Sequence, residues 1–311
     1  MPENGTLASR RSPFPLASSL LMLIGFVLVG LFVGQLIGLG LAVSVAGISL
    51  NEFGGLLSNP SGVPGGWTAL MLAQAGTSLG GFVVAPLLHW RFIERERGFD
   101  WAEVPAPVLL LAGLVVLASF PLNNWVYELN RGLDLPVSLQ ALEDWMKAKE
   151  SGTEQLTKFL TAIDDPARLV IALLVVAVIP AVGEEITFRG VGQNLLHRAF
   201  GNVHVAIWVS AALFSAIHLQ FYGFVPRLLL GALFGYLYVW SGSLWVPIFA
   251  HFVNNGFQLI ALYLFRTKRI ETDLEKIDSV PVSAALISLT LTLALLAAIR
   301  RRRVPPSPPL A

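Results

Sequence analysis

The chain reads as an all-α polytopic membrane bundle with about eight transmembrane helices, on three observations. Of its 311 residues 55% are hydrophobic and only 13% charged, and the mean hydropathy is +0.68, far from soluble usage. Apolar runs long enough to cross ~30 Å of hydrocarbon recur from one end to the other. The alternating pattern of a membrane β-barrel is absent, and backbone groups in lipid must bond within their own segment, so helices are the expected element.

The first run, 17–46, follows Arg10 and Arg11 as a signal sequence would, but its length and the runs behind it make it a retained anchor. Further spans are expected over 67–89, 107–127, 168–196, 202–219, 224–240, 244–265 and 282–299. The chain then divides into an N-terminal three-helix region over 1–165, a core over 166–265, and a polar loop, last span and Pro-rich tail over 266–311. Gly30, Gly34 and Gly38 form a small-residue face suited to close helix contact, inside the bundle or between copies. The long connection over 128–165 carries Leu139, Leu142, Trp145 and Met146 at helical spacing. It is expected to be a solvated loop with one short amphipathic helix, with an interfacial helix or a lid as the alternatives. An even number of spans puts both termini on one side. Arg10 and Arg11 at one end, and Arg300, Arg301, Arg302 and Arg303 at the other, make that side cytoplasmic, with a bacterial plasma membrane as the expected location.

Composition also excludes functions. With 21 basic and 20 acidic residues the net charge is +1, so nothing recruits nucleic acid. The absence of cysteine removes disulfides, thiolate metal sites and thiol catalysis. All seven Asp lie outside the spans, against an aspartyl protease, and Ser241-Gly242-Ser243 reads as an interhelical turn rather than a nucleophile site.

What remains is a small set of oxygen and imidazole groups. Between Leu169 and Phe265 the only charges are Glu184, Glu185, Arg189, Arg198 and Arg227. An ionisable group within a span costs several kcal/mol unless paired or wetted, so such groups point to function. Glu185 and Arg189 are four apart on one helix face, while Glu184 projects about 100° away. A buried ion pair with a spare acid, holding helices together, is the structural alternative. His218 lies in the next span, and His251 with Asn255 share a face two spans on. Counted from the turn near Gly201, Glu184 and His218 both lie about 24 Å deep, whereas His251 sits only about 10 Å into its own helix. That mismatch requires a later helix start, a tilt or an unwound segment. His89, His197 and His204 fall near span ends and read as interfacial.

Three motifs carry a resemblance: Glu184-Glu185-Ile186-Thr187-Phe188-Arg189, Phe214-Ser215-Ala216-Ile217-His218 and His251-Phe252-Val253-Asn254-Asn255. Together they resemble the signatures of the CAAX prenyl protease and bacteriocin-processing family, which also includes abortive-infection proteins. The resemblance implies an intramembrane endopeptidase acting on membrane-associated or prenylated, CAAX-like proteins or peptides. By that analogy Glu184 is the general base, His218 holds and polarises the water, and His251 and Asn255 stabilise the oxyanion. Glu185 with Arg189 fixes the helix, and Phe214 orients the His218 ring. No cofactor is favoured; zinc is the alternative, held by Glu184, His218 and His251, although the His-Glu-x-x-His helix is missing. A non-catalytic interaction or immunity protein of the same fold, or a proton-coupled transporter, are the other functional classes.

Overall fold

A computed structural model describes residues 14–95, 99–132, 135–271 and 280–301. Among them the chain forms ten helices besides the short 3-10 turns Pro60–Gly62 and Val137–Leu139, and the one β-type pairing is a bridge between Trp101 and Ser243. The helices are α1 (Leu16–Ala46), α2 (Leu50–Ser58), α3 (Gly66–Ile93), α4 (Ala106–Arg131), α5 (Gln140–Leu160), α6 (Pro166–Phe200), α7 (Val203–Ala216), α8 (Phe224–Ser241), α9 (Trp245–Arg266) and α10 (Val282–Arg301). Seven of these, all but α2, α5 and α7, are long and apolar enough to cross a membrane, and the protein is an integral membrane protein. The expected span over 202–219 is the exception. Its helix α7 has 14 residues, ~21 Å at an α-helical rise, because the chain leaves the helix before His218.

Local chemistry marks the boundaries. Gly47 and Gly201 end α1 and α6 at positive φ of 68° and 62°, the left-handed cap that only a glycine adopts without strain. Asp165 caps α6 by accepting from the Arg168 amide at 3.0 Å, with Pro166 in the first turn. Asn202 caps α7 through the amides of His204 and Val205. Arg10, Arg11, Arg302 and Arg303, most of the polar loop after Arg266 and the Pro-rich tail lie outside the described residues.

Helix α1 leans on α3 through its glycine face. A Cβ at Gly30, Gly34 or Gly38 would stand 2.3, 2.2 and 2.7 Å from the carbonyl oxygens of Gly80, Gly76 and Leu72. The glycines therefore serve contact within the bundle, bringing two backbones together. The opposite face of α1, with Leu21, Ile24, Leu28 and Phe32, is exposed to where lipid lies. A polar knot closes the end of this pair. His89 is fully buried rather than interfacial, and its Nε2 lies 3.0 Å from the Ser19 carbonyl. Glu94 accepts from the Ser19 hydroxyl and from Arg198 of α6.

Helix α6 is the axis of the remaining bundle. Val175 and Ala177 pack against Trp67 of α3 and Leu259 and Tyr263 of α9, while α4, α8, α9 and α10 share a second core around Val115, Phe234, Val246 and Ile299. It is π-helical over Leu173–Val178 and Ile186–Gln193, the wide turns that recur at functional sites. The long connection expected to hold one short amphipathic helix instead forms the 21-residue α5. Its C-terminal end packs on the bundle, with Trp67 Nε1 donating to the Leu160 carbonyl at 2.9 Å. Its N-terminal half keeps Leu142 and Trp145 exposed at 46% and 47%, as at a membrane interface. Glu150 of α5 accepts from the Tyr222 amide at 3.1 Å, and Trp145 meets Phe221 at 5.3 Å. The helix thus lies over the loop that follows His218.

Candidate functional site

The two adjacent glutamates of α6 have different surroundings, as their 100° separation requires. The Glu185 side chain is fully buried, and its Oε1 accepts from Arg189 Nη1 at 2.7 Å. The guanidinium is itself fixed, with Nη2 donating to the Gly231 carbonyl of α8 at 2.7 Å and its plane near the Phe214 and Phe234 rings, 4.8 and 5.4 Å from their centroids. The Glu184 side chain retains 12% exposure. One carboxylate is locked in a pair; the other keeps access.

His251 joins the first motif to the third. Its Nδ1 lies 2.9 Å from Glu185 Oε1 and its Nε2 3.8 Å from Glu184 Oε2. A carboxylate that already holds a cation can only accept, so the Nδ1 proton points at Glu185 and Nε2 faces Glu184. The ring is stacked on Phe234 at 5.0 Å. The depth mismatch is thereby explained. Helix α9 starts at Trp245, one residue from the expected start, so the boundary is not the cause. A Cβ at Gly190 would stand 3.3 Å from Leu244, so α9 begins level with Gly190 rather than with the turn at Gly201, and Glu184 and His251 lie at similar depths from that level.

His218 stands in a turn, not in a helix, next to Leu219 at φ 51°. Its Nδ1 donates to the Phe214 carbonyl at 2.8 Å, which leaves Nε2 unspent. The Phe214 ring meets His218 edge-on at 5.2 Å and His251 at 6.0 Å, so this one side chain links both imidazoles and Arg189. Among the described residues His218 and Glu184 share no direct hydrogen bond. Asn255 is one turn beyond His251. Its Nδ2 donates to the Val176 carbonyl at 3.2 Å, and its oxygen accepts from Asn254 at 2.9 Å. Val176 precedes Pro180 by four residues, and a proline has no N–H to give that carbonyl. Asn255 supplies the missing donor.

Six of the seven expected residues are joined by direct contacts around Phe214, Glu185 and His251, whereas Asn255 shares the helix face of His251 but bonds to Val176 and Asn254. The Glu185 to His251 bond and the Gly231 anchor of Arg189 were not foreseen, since partners 66 and 42 positions apart leave no periodic trace. Arg227, one of the five charges between Leu169 and Phe265, belongs to none of the three motifs. Among the described residues no three His, Asp or Glu side chains are grouped to hold a metal ion.

A bundle of membrane helices with a buried acid and histidine centre defines the class. Residues 166–257 match the family described as Rce1-like, Type II CAAX prenyl endopeptidase Rce1-like. Over that segment, 92 of the 311 residues, the chain is similar to a family described as endopeptidases, in line with the resemblance carried by the three motifs. The chain is also 31% identical over 80 residues to "Uncharacterized protein YpbD" of Bacillus subtilis (strain 168), a stretch that is 24% of this chain and 38% of that relative. The match thus spans well under half of the relative's length. No solved structure matches.

Proposed function

We propose that the protein is an intramembrane endopeptidase that hydrolyses peptide bonds of membrane-associated or prenylated, CAAX-like proteins or peptides. The observation that carries this reading is His251, bonded through Nδ1 to Glu185 at 2.9 Å with Nε2 3.8 Å from Glu184. Glu184 takes a proton from water, the hydroxide adds to the scissile carbonyl carbon, and the proton passes to the leaving amine as the C–N bond breaks. His218 offers its free Nε2 to the water. His251 stabilises the oxyanion through Nε2 when that nitrogen carries a proton. Asn255 has one further N–H beyond the one given to Val176, and this second donor is the one available to the oxyanion.

The metal-free form of the reaction is preferred on donor geometry. Glu184, His218 and His251 are the donors a zinc ion would take, but the side chains as arranged do not form a three-ligand group. The protein acts from within the bilayer, with both termini cytoplasmic in this proposal.

The test is quantitative terminal-peptide proteomics of membranes from a null host carrying wild type or Glu184→Gln at matched expression. New protein ends that require wild type are expected, and they name the substrate class. Identical end profiles, with any phenotype rescued equally by both, would move the assignment to an interaction or immunity role. Repeating the cleavage of an identified substrate with purified protein after chelator treatment tests the metal-free form, for which no loss is expected.

A further inference from the structure

The connection from His218 to α8 contains polar groups that the proposed reaction does not use. Arg227, in the first turn of α8, donates through Nη2 to Gln220 Oε1. Its other terminal nitrogen, Nη1, is buried and has no hydrogen-bond partner among the described residues. Its electrostatic neighbours include Glu184, Glu150 and Tyr127, and its charge also acts on His218, yet neither carboxylate closes an ion pair with it. Gly223 makes the cradle, because a Cβ there would stand 3.3 and 3.4 Å from the two terminal nitrogens. The Tyr222 hydroxyl is a second buried group without a partner.

Packing of α7 on α8 places Arg227 relative to the site. A Cβ at Gly231 would touch the Phe214 ring at 3.1 Å, so these two residues face each other. The helices run antiparallel, and Arg227 lies four residues before Gly231 while His218 lies four residues after Phe214. Arg227 is therefore level with His218, ~6 Å of helix rise from the carbonyl that anchors Arg189. The loop is held there by Asn130 of α4, which donates to the Phe221 and Tyr222 carbonyls at 3.1 and 2.7 Å, and by Glu150 of α5.

A half-buried guanidinium with one buried, unspent N–H is costly alone and is satisfied by a planar anion. We infer that Arg227 binds a carboxylate of the substrate and so sets which peptide bond reaches Glu184. An extended peptide advances ~3.3 Å per residue, so the bound carboxylate lies a few residues from the scissile bond. The carboxylate is either the free C-terminus or an acidic side chain. This inference rests on the protease reading, and binding and turnover separate the two.

The probes are acetylated hexapeptide pools with randomised apolar positions. One pair carries a free-acid or an amidated C-terminus; a second, amidated pair carries Glu or Gln at its penultimate position. Binding to full-length Glu184→Gln in nanodiscs is measured first, without turnover. Carboxylate-bearing peptides are expected to bind about ten-fold more tightly than their amides, and adding Arg227→Gln should bring the ratio near one. Preference within the first pair assigns the C-terminus, and preference within the second assigns a side chain. Arg227→Lys, which keeps the charge but loses the planar fork, should retain part of the preference and guards against a folding defect in the Gln variant. With wild type, the same preference should appear in cleavage as a KM effect of about ten-fold with kcat little changed. Equal binding of acids and amides, or a preference that survives Arg227→Gln, would overturn the inference. Glu184-dependent cleavage without carboxylate preference removes the anion site and leaves the protease. Arg227-dependent carboxylate binding with no cleavage does the reverse.

Discussion

The α1–α3 pair and the α6–α8–α9 cluster hold helices together by opposite means. In the first, side chains are deleted from the interface: Gly30, Gly34 and Gly38 lie on Gly76 and Gly80, and backbone meets backbone. In the second, the interface is filled with polar groups, with Arg189 bonded to Glu185 and to the Gly231 carbonyl and Glu185 also bonded to His251. Lipid tails are as apolar as leucine, so burial of side chains supplies little drive between helices in a membrane. Close packing and satisfied polar groups supply it instead. The difference is one of consequence. A glycine seam holds position and carries no chemistry, whereas a charged cluster carries a reactive carboxylate beside it.

Breaking the cluster has the largest expected effect. Arg189→Met leaves Glu185 buried without its cation, at a cost of about 3–5 kcal/mol in unfolding measured in bicelles. The double variant Glu185→Leu/Arg189→Met should recover much of that stability while remaining inactive. Recovery of that kind would show that the pair is kept for the site rather than for the fold, and a loss below about 1 kcal/mol in the single variant would remove the contrast with the glycine seam.

Asn255 sharpens the comparison because it belongs to both kinds of interaction. Asn255→Ala strips the donor from the Val176 carbonyl, and a loss of about 1–3 kcal/mol in stability is expected. Peptidase kcat on a substrate found by proteomics should also fall on the order of a hundred-fold, through loss of the oxyanion donor. A stability loss with unchanged kcat would confine Asn255 to holding α6.

The seam should give the smallest effect on activity. Gly34→Leu forces a side chain against the Gly76 carbonyl, and overpacking of this kind costs about 1–3 kcal/mol. Because the chain has no cysteine, Gln35→Cys with Thr77→Cys reports the α1–α3 contact by cross-linking without background. Cross-linking should drop in the Gly34→Leu background while activity per folded molecule holds. Equal loss of activity would mean that the two regions are coupled.

Much of this was open to reading along the chain. Seven of the eight expected spans appear as long apolar helices, because a run of apolar residues is a local property and the bilayer sets its length. Helix ends at Gly47, Asp165, Gly201 and Asn202 follow from residues that act on their own neighbours. The candidate residues could be picked out because charges are rare where hydration is costly. The short α7 departs from expectation, since 202–219 is apolar enough overall for a span but the helix ends at Ala216 and the chain turns at 217–219.

The amino-acid sequence by itself therefore determined the class of fold, most helix limits and the short list of reactive groups, all of which depend on composition and on spacings of three or four residues. Only the tertiary structure decided that Glu185 holds His251, that Gly231 anchors Arg189, that Asn255 serves the carbonyl Pro180 leaves open, and that Arg227 lies level with His218. The physical reason is distance along the chain. Hydrogen bonds between helices join residues tens of positions apart, and their geometry depends on the levels at which the helices pack and on glycine contacts that no periodicity records.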